Sequence, residues 1–290
     1  MKILLTGKTG QVGYELERSL QGVGEIVAVD RSQMDLSDLQ QIRDVVRSVR
    51  PDLIVNPAAY TAVDKAESEP DLAMRINGDA PAVMAEEAKK LGAGIIHFST
   101  DYVFDGAKQT AYVETDPTCP INVYGATKLA GEQAIQASGV PHIILRTSWV
   151  YGMRGKNFLL TVMRLAGERD ELRIVGDQFG APTWCRTIAD STAQLVARLG
   201  ARSGVVEAMA GELGGIYHLT SSGRTSWHGF TEEIVRQAAL ATPPKVTAIR
   251  TDEYPLPAQR PHNSELSCER LRALGGHLPR WQDALRLCRQ

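Results

Sequence analysis

The sequence predicts an α/β fold: a doubly wound, Rossmann-like parallel sheet with a smaller C-terminal lobe for substrate. Three observations predict it. Short, uniformly apolar β runs alternate with amphipathic helical stretches through the first half, the pattern of a parallel sheet covered on both faces. A glycine turn, Gly7-x-x-Gly10-x-x-Gly13, separates the first run from the first helix. The second half loses this regularity and gathers prolines at Pro243, Pro244, Pro255, Pro257 and Pro261, the composition of loop.

Taken in order, residues 3–5 form a β run, and 11–20 carry Val12, Leu16 and Leu20 at helical spacing. Residues 26–29 are the next strand. Residues 39–49 place Leu39, Ile42, Val45, Val46 and Val49 on one helical face. A strand at 53–55, a long helix over 68–91, a strand at 94–98, a helix over 122–138 and a strand at 142–145 complete the first half. The right-handed crossover rule then winds helices onto both faces. Further on, 152–156 is a glycine-basic loop and 176–182 another. Residues 187–199 are a helix, 216–219 a short strand and 231–239 a helix. The expected division is a dinucleotide-binding domain from 1–150 and about 181–212, with a lobe from about 151–180 and 213–290.

The chain has 290 residues, enough to bury a large core without metal or disulfide staples. Lys plus Arg is 32 and Asp plus Glu 34, so the net charge of −2 argues against a nucleic-acid binder. Cys119, Cys185, Cys268 and Cys288 have no metal-site spacing and read as free thiols of a reducing compartment. The apolar start is too short for a signal peptide, and no apolar run reaches the ~20 residues of a membrane span. A cytoplasmic protein without membrane partners is expected.

The chemistry begins at the glycine turn. One glycine permits the tight turn, one lets backbone approach a pyrophosphate, and one allows close helix-to-strand packing. The helix start offers free N–H groups to the phosphates. Gly7, Gly10, Gln11, Val12 and Gly13 therefore read as cofactor-binding. Asp30 ends the second strand and suits the adenosine ribose hydroxyls. A 2′-phosphate beside it would be repelled by about 2 kcal/mol at 4 Å in a water-like dielectric. Arg31 offsets that, so NADPH and NADH both stay open. Asp35 and Leu36 flank the adenine, or Asp35 caps the following helix. Ala58 and Ala59 let a ribose lie against the sheet edge, or mark a tight packing point.

Tyr124 and Lys128 stand four apart, on one helical face. Ser99-Thr100-Asp101 ends the preceding strand. With the glycine turn, these residues resemble the extended, nucleotide-sugar-modifying branch of the short-chain dehydrogenase/reductase family. A free Tyr has a pKa near ~10, poorly matched to proton transfer at neutral pH. An ammonium about 4 Å away would lower it by as much as ~3 units. Lys128 is expected to do this and to hold the nicotinamide ribose. Thr100 would orient the reacting oxygen, and Tyr124 would protonate the nascent alkoxide.

Longer strings narrow the resemblance. They are Gly7-Lys8-Thr9-Gly10-Gln11-Val12-Gly13, Thr61-Ala62-Val63-Asp64-Lys65-Ala66-Glu67, and Ser99-Thr100-Asp101-Tyr102-Val103-Phe104-Asp105-Gly106. Arg146-Thr147-Ser148-Trp149-Val150-Tyr151-Gly152, Gly180-Ala181-Pro182-Thr183 and Arg260-Pro261-x-Asn263-Ser264 follow. Over nearly its whole length the chain resembles the dTDP-4-dehydrorhamnose reductase family. That implies reduction of a 4-keto group, with NADPH or NADH, to give dTDP-L-rhamnose for bacterial surface polysaccharides. It also implies that Gly10, Gln11, Val12, Asp30, Asp35, Leu36, Ala59, Tyr60 and Thr61 line the cofactor. Thr100, Asp101 and Trp149 would meet the sugar nucleotide, with Tyr102 beside them, and Tyr124 and Lys128 would be catalytic.

Trp149 is either core or, at the strand's carboxyl edge, a flat wall for the sugar. Arg260 either clamps a diphosphate or forms a surface salt bridge. Arg154 and Lys156 read as a solvated loop, and His97 as a satisfied core histidine. Some family members are Mg²⁺-bridged dimers. Glu15 and Asp190 match two of the acidic positions, but Arg186 stands at a third, and a hard cation wants oxygen ligands. No metal site is therefore assigned, and a homodimer stays open. Two rival readings remain within reach of the same fold. One is a dehydratase or epimerase with retained NAD, although Tyr102 occupies the place where such relatives carry Glu. The other is a non-catalytic, NADP-binding regulatory subunit.

Overall fold

In the computed structural model, which describes residues 1–201 and 204–289, the apolar runs become parallel strands. Arg202, Ser203 and Gln290 fall in the domain ranges read from the sequence and lie outside the described residues. The first half runs β1 (Lys2–Leu5), α1 (Gln11–Ser19), β2 (Glu25–Ala28), α2 (Leu39–Val49), β3 (Leu53–Asn56), α3 (Ala80–Leu91), β4 (Gly94–Thr100), α4 (Val123–Ser138) and β5 (His142–Thr147). The second half runs α5 (Phe158–Ala166), β6 (Glu171–Val175), α6 (Cys185–Gly200), β7 (Gly215–His218), α7 (Trp227–Ala238), β8 (Lys245–Ile249) and α8 (Trp281–Cys288).

The central sheet has six parallel strands in the order β7-β5-β4-β3-β1-β2. Alternate residues of each strand face opposite sides. Ile3, Leu5, Val55, Ile96 and Leu145 join Leu16, Ile188 and Val196 on the face covered by α1 and α6. Leu4, Ile54, Ile95 and Ile144 join Ile42, Val46, Met84 and Ile135 under α2, α3 and α4. A separate core in the lobe packs Tyr151, Leu159, Leu172, Phe230, Ile234 and Trp281.

Three expectations need correction. The helix read over 68–91 is interrupted by a π-helical turn at Arg75–Asp79. The cause is Asn77, whose buried amide bonds the backbone of Tyr60 and the Thr127 hydroxyl, so the ladder bulges to let it turn inward. The strand at 215–218, read as part of the lobe, is the edge of the central sheet, with Ile216 in register with Ile144. The proline-rich segment is not all loop. Its β-branched stretch at β8 pairs in parallel with β6, Val246 opposite Leu172 and Ile249 opposite Val175.

Candidate functional site

The glycine turn has the shape that the sequence requires of it. Gly7 sits at φ +61°, and a Cβ there would lie 2.9 Å from that of Ala58. A Cβ at Gly13 would lie 2.1 Å from Gly7 O, so α1 and β1 approach as closely as glycine alone permits. A Cβ at Gly10 would meet only Gly7 O, at 3.3 Å, and would otherwise fill the open cradle. Gly10 is the N-cap of α1 and offers no side-chain acceptor, so the first N–H groups of the helix remain for an anion. These features fit a dinucleotide diphosphate. The cleft they open is about 450 Å³ and is lined by Gly7, Gly10, Gln11, Val12, Gly13, Ala58, Ala59, Thr61, Tyr124 and Lys128.

The other cofactor candidates lie outside that lining. Asp30 accepts from the Ser32 backbone and hydroxyl and stands 3.6 Å from Lys8 Nζ, a cation the sequence reading passes over. Arg31 is paired at 3.1 Å with Asp35. Asp35 does not cap α2. It closes its own turn onto Ser37, and Asp38 is the cap, accepting from Gln40 and Gln41. Leu36 is buried in the core beneath α2 rather than presented to a ligand. Tyr60 turns its hydroxyl to Glu69 at 2.7 Å.

At the inner end of the cleft, β4 delivers Thr100 and α4 delivers Tyr124 and Lys128. Asn122 caps α4 by accepting from Gly125 N, and Gly125 lets the helix start press against the Tyr102 carbonyl. Lys128 is buried and donates to Phe98 O at 2.7 Å, with His97 Nε2 at 3.1 Å. Burial pushes Lys128 down to about 8, with Glu132 opposing. His97 does prove a satisfied core histidine, bonded at its other nitrogen to Asn56 at 3.1 Å. Its partner Lys128, however, is a site residue.

Tyr124 moves opposite to expectation. Burial pushes its phenol up to about 12, the Asp101 carboxylate adds to this, and the Thr100 hydroxyl pulls the other way. The bonds of Lys128 go to Phe98 O and His97, so its charge does not dominate the phenol. Burial also raises Asp101 to about 6, against bonds from Ser264 and Thr100.

A second cleft of about 420 Å³ adjoins the first and shares Gln11, Thr61, Tyr124 and Lys156 with it. Thr100, Asp101, Tyr102, Trp149 and Trp227 line it. A third, of about 470 Å³, continues from Tyr102 and Trp227 to Arg169, Arg173, Tyr254 and Arg260. Trp149 is a wall residue, not core. It adopts φ +47° and stacks on Trp227 with centroids 3.5 Å apart and planes at 6°. Gly180 makes room, since a Cβ there would lie 2.7 Å from the indole. Arg260 forms a half-buried two-pronged pair with Asp64, both bonds 2.8 Å, while lining the third cleft.

Several site residues escape sequence reasoning. Trp227 begins α7, and its sequence context marks only a helix start capped by Ser226. Lys156, read as solvated loop, lines both the first and second clefts. Its loop is tied down by Asn157, which donates to Gln11 Oε1 and Gly152 O at 2.8 Å. Arg154 lies 3.7 Å from the Tyr14 ring. Ser99 and Thr147 line the first two clefts, and their hydroxyls are buried without a hydrogen-bond partner. Arg186 lies 3.9 Å from Glu15, and Asp190 accepts from Ser19. Glu15 and Asp190 thus engage a cation and a hydroxyl instead of converging with a third acid. Among the described residues no helix is long and apolar enough to cross a membrane.

A glycine turn heading a six-stranded parallel sheet, with a Tyr/Lys pair on the helix before its fifth strand, defines a Rossmann-like fold of the dinucleotide-binding class. UDP-glucose 4-epimerase from Thermus thermophilus shares the fold at a TM-score of 0.82 and 21% identity. Comparison with known proteins goes further. A family model described as RmlD substrate binding domain matches residues 1–290. The dTDP-4-dehydrorhamnose reductase of Burkholderia thailandensis is 49% identical over 99% of this chain and 98% of its own. That of Escherichia coli K12 is 46% identical over 97% and 95%. The crystal structure of the Bacillus anthracis reductase in complex with NADP superposes at a TM-score of 0.87, with 34% identity and 99% and 97% coverage. The chain belongs to the dTDP-4-dehydrorhamnose reductase family.

Proposed function

We propose that this protein reduces the 4-keto group of dTDP-4-dehydro-6-deoxy-L-mannose with NADPH or NADH, giving dTDP-L-rhamnose. One observation carries the reading: Tyr124 stands where the glycine-turn cleft meets the indole-lined cleft, so a proton donor faces both ligand spaces. The nicotinamide cofactor, when bound, supplies the hydride. Gly7, Gly10, Gln11, Val12 and Gly13 would hold its diphosphate, and Ala58, Ala59 and Thr61 its inner ribose.

This chain's own groups handle the oxygen. Thr100 orients the ketone by a hydrogen bond, and Tyr124 gives its proton to the oxygen as charge develops there. A phenol held at about 12 is fully protonated at neutral pH, the form that donates. Lys128 offers an ammonium near the phenolate left behind. Asp101 and the Trp149–Trp227 stack position the sugar, and Arg169 lines the third cleft beside Arg173 and Arg260, which would exchange their partners Glu253 and Asp64 for the nucleotide diphosphate. Four free cysteines support a cytoplasmic location.

The test is direct. Purified protein, NADPH and the dTDP-4-keto sugar are mixed, loss of NADPH absorbance is followed, and the product is identified by chromatography. Turnover to the deoxysugar nucleotide is expected. Folded protein that turns over none of it, or that retains tightly bound NAD and interconverts epimers, overturns the reading.

A further inference from the structure

Thr6, Asn56, His97 and Lys128 form a row across the carboxyl end of the sheet, and none is more than 2% exposed. Thr6 follows β1, and Asn56 and His97 are register partners on β3 and β4. Thr6 Oγ1 lies 2.7 Å from Asn56 Oδ1, Asn56 Nδ2 lies 3.1 Å from His97 Nδ1, and His97 Nε2 lies 3.1 Å from Lys128 Nζ. The row thus joins the turn that starts the cofactor cleft to the lysine at its inner end.

The inventory of protons is restrictive. Burial holds His97 neutral, so it carries one N–H and donates at one nitrogen while accepting at the other. An ammonium has donors only. Whenever Lys128 is charged, the lone pair must sit on Nε2, the proton on Nδ1, and Asn56 must present its oxygen to that proton. In the orientation seen here Asn56 presents its nitrogen to Nδ1, while Thr6 donates to its oxygen. Nε2–H then points at Lys128, which satisfies it only as a free amine. A half-turn of one amide exchanges the two arrangements without moving the backbone.

We propose that this row is a two-state hydrogen-bond switch that couples the charge of Lys128 to the orientation of the Asn56 amide, with His97 as the positioning residue between them. Its role in turnover rests on the reductase reading, because a charged Lys128 is the state needed opposite the Tyr124 phenolate. The proton that Lys128 gains or loses exchanges with water through the cleft it lines. The ionisable groups around Lys128 are His97 on β4, Glu132 one turn on in α4, Arg146 of β5 bound to Glu132 at 2.6 Å, and Tyr124 one turn back. A lysine poised at about 8 responds to a small change among them.

The experiment is an NMR titration of the protein carrying ¹³C-labelled lysine, with the Lys128 signal assigned by its loss in Lys128→Met. In His97→Leu the acceptor is gone, and the Lys128 midpoint falls by about one to two units, the size of a lost hydrogen bond to a charged group. In Asn56→Asp the row is locked with an acceptor toward His97, and the midpoint rises by about one unit or more. The basic limb of the kcat profile moves with each. A packing lesion alone would not shift the two in opposite directions. Unchanged midpoints, or shifts of the same sign in folded variants, overturn the proposal. If His97→Leu does not fold, Asn56→Asp decides alone: an unmoved or lowered midpoint sinks it. The titration needs no substrate, so it stands or falls separately from the reductase assay.

Discussion

On the sheet side of the cleft, reactive groups hang from strand ends and from α4, and their partners are buried side chains or backbone. Lys128 bonds Phe98 O and His97, and Arg146 holds Glu132 beneath it at 2.6 Å with both side chains at most 3% exposed. On the lobe side, the wall is built from an aromatic stack, a loop tied by Asn157, and Arg260 reaching across to Asp64. The first wall is held by short bonds among buried neighbours, with the Ser99 and Thr147 hydroxyls left unpaired. The second is held by a few contacts between residues far apart in sequence, 196 positions in the case of Arg260 and Asp64. The difference suits the two tasks: proton transfer needs fixed atoms, and admitting a large sugar nucleotide needs a wall that can adjust.

The sharpest test of the sheet wall is Tyr124→Phe. Losing the proposed proton donor should lower kcat by roughly 10²- to 10⁴-fold. NADPH affinity, measured by fluorescence titration, should stay within about twofold, because the glycine turn is untouched. Rate near that of the unmodified protein would remove Tyr124 as the acid. Next in size is Glu132→Gln, which leaves Arg146 buried beside a neutral amide. Breaking a buried pair this way destabilises by about 3–5 kcal/mol, to be read from urea unfolding. A loss no larger than that of Asp64→Asn, in the more exposed pair, would erase the distinction between the walls.

The sheet wall was largely legible in the sequence, for physical reasons. Strands buried on both faces must be apolar throughout, and a strand that turns into a helix against a diphosphate must use glycine. Tyr124 and Lys128 are brought together by helical spacing, and Thr100 meets Tyr124 because both lie at the same sheet edge. What failed there was electrostatics. The sequence shows that Lys128 is near Tyr124, but not that its bonds point to Phe98 and His97, or that Asp101 adds its charge to the phenol. The interruption at Asn77 was hidden too, because only the folded neighbours show what a buried amide bonds. The lobe was less legible throughout. Its strand at β8 follows two prolines, and its partner β6 is distant in sequence, so local pattern carries neither. Trp227 could not be matched to Trp149 for the same reason, and Lys156 looked solvated because its loop's anchor, Gln11, lies 146 positions away from Asn157.

The smallest effect, and the one that most sharpens the contrast, belongs to Trp227. Trp149 at φ +47° occupies a backbone region that disfavours bulky side chains by ~1–3 kcal/mol, so something must hold it there. The stack on Trp227 and the room left at Gly180 do so. Trp227→Leu removes an aromatic pair of about 0.5–1.5 kcal/mol while keeping the site apolar. The KM for the sugar nucleotide should then rise roughly two- to tenfold, the range that energy converts to, with kcat within about twofold and the melting temperature lower by roughly 1–6 °C. Steady-state kinetics with varied sugar nucleotide check this, and indole fluorescence reports whether Trp149 has left its stacked position. A fall in kcat comparable to that of Tyr124→Phe would mean that the lobe wall also fixes the reacting atoms, and that the two sides of the cleft act as one rigid body.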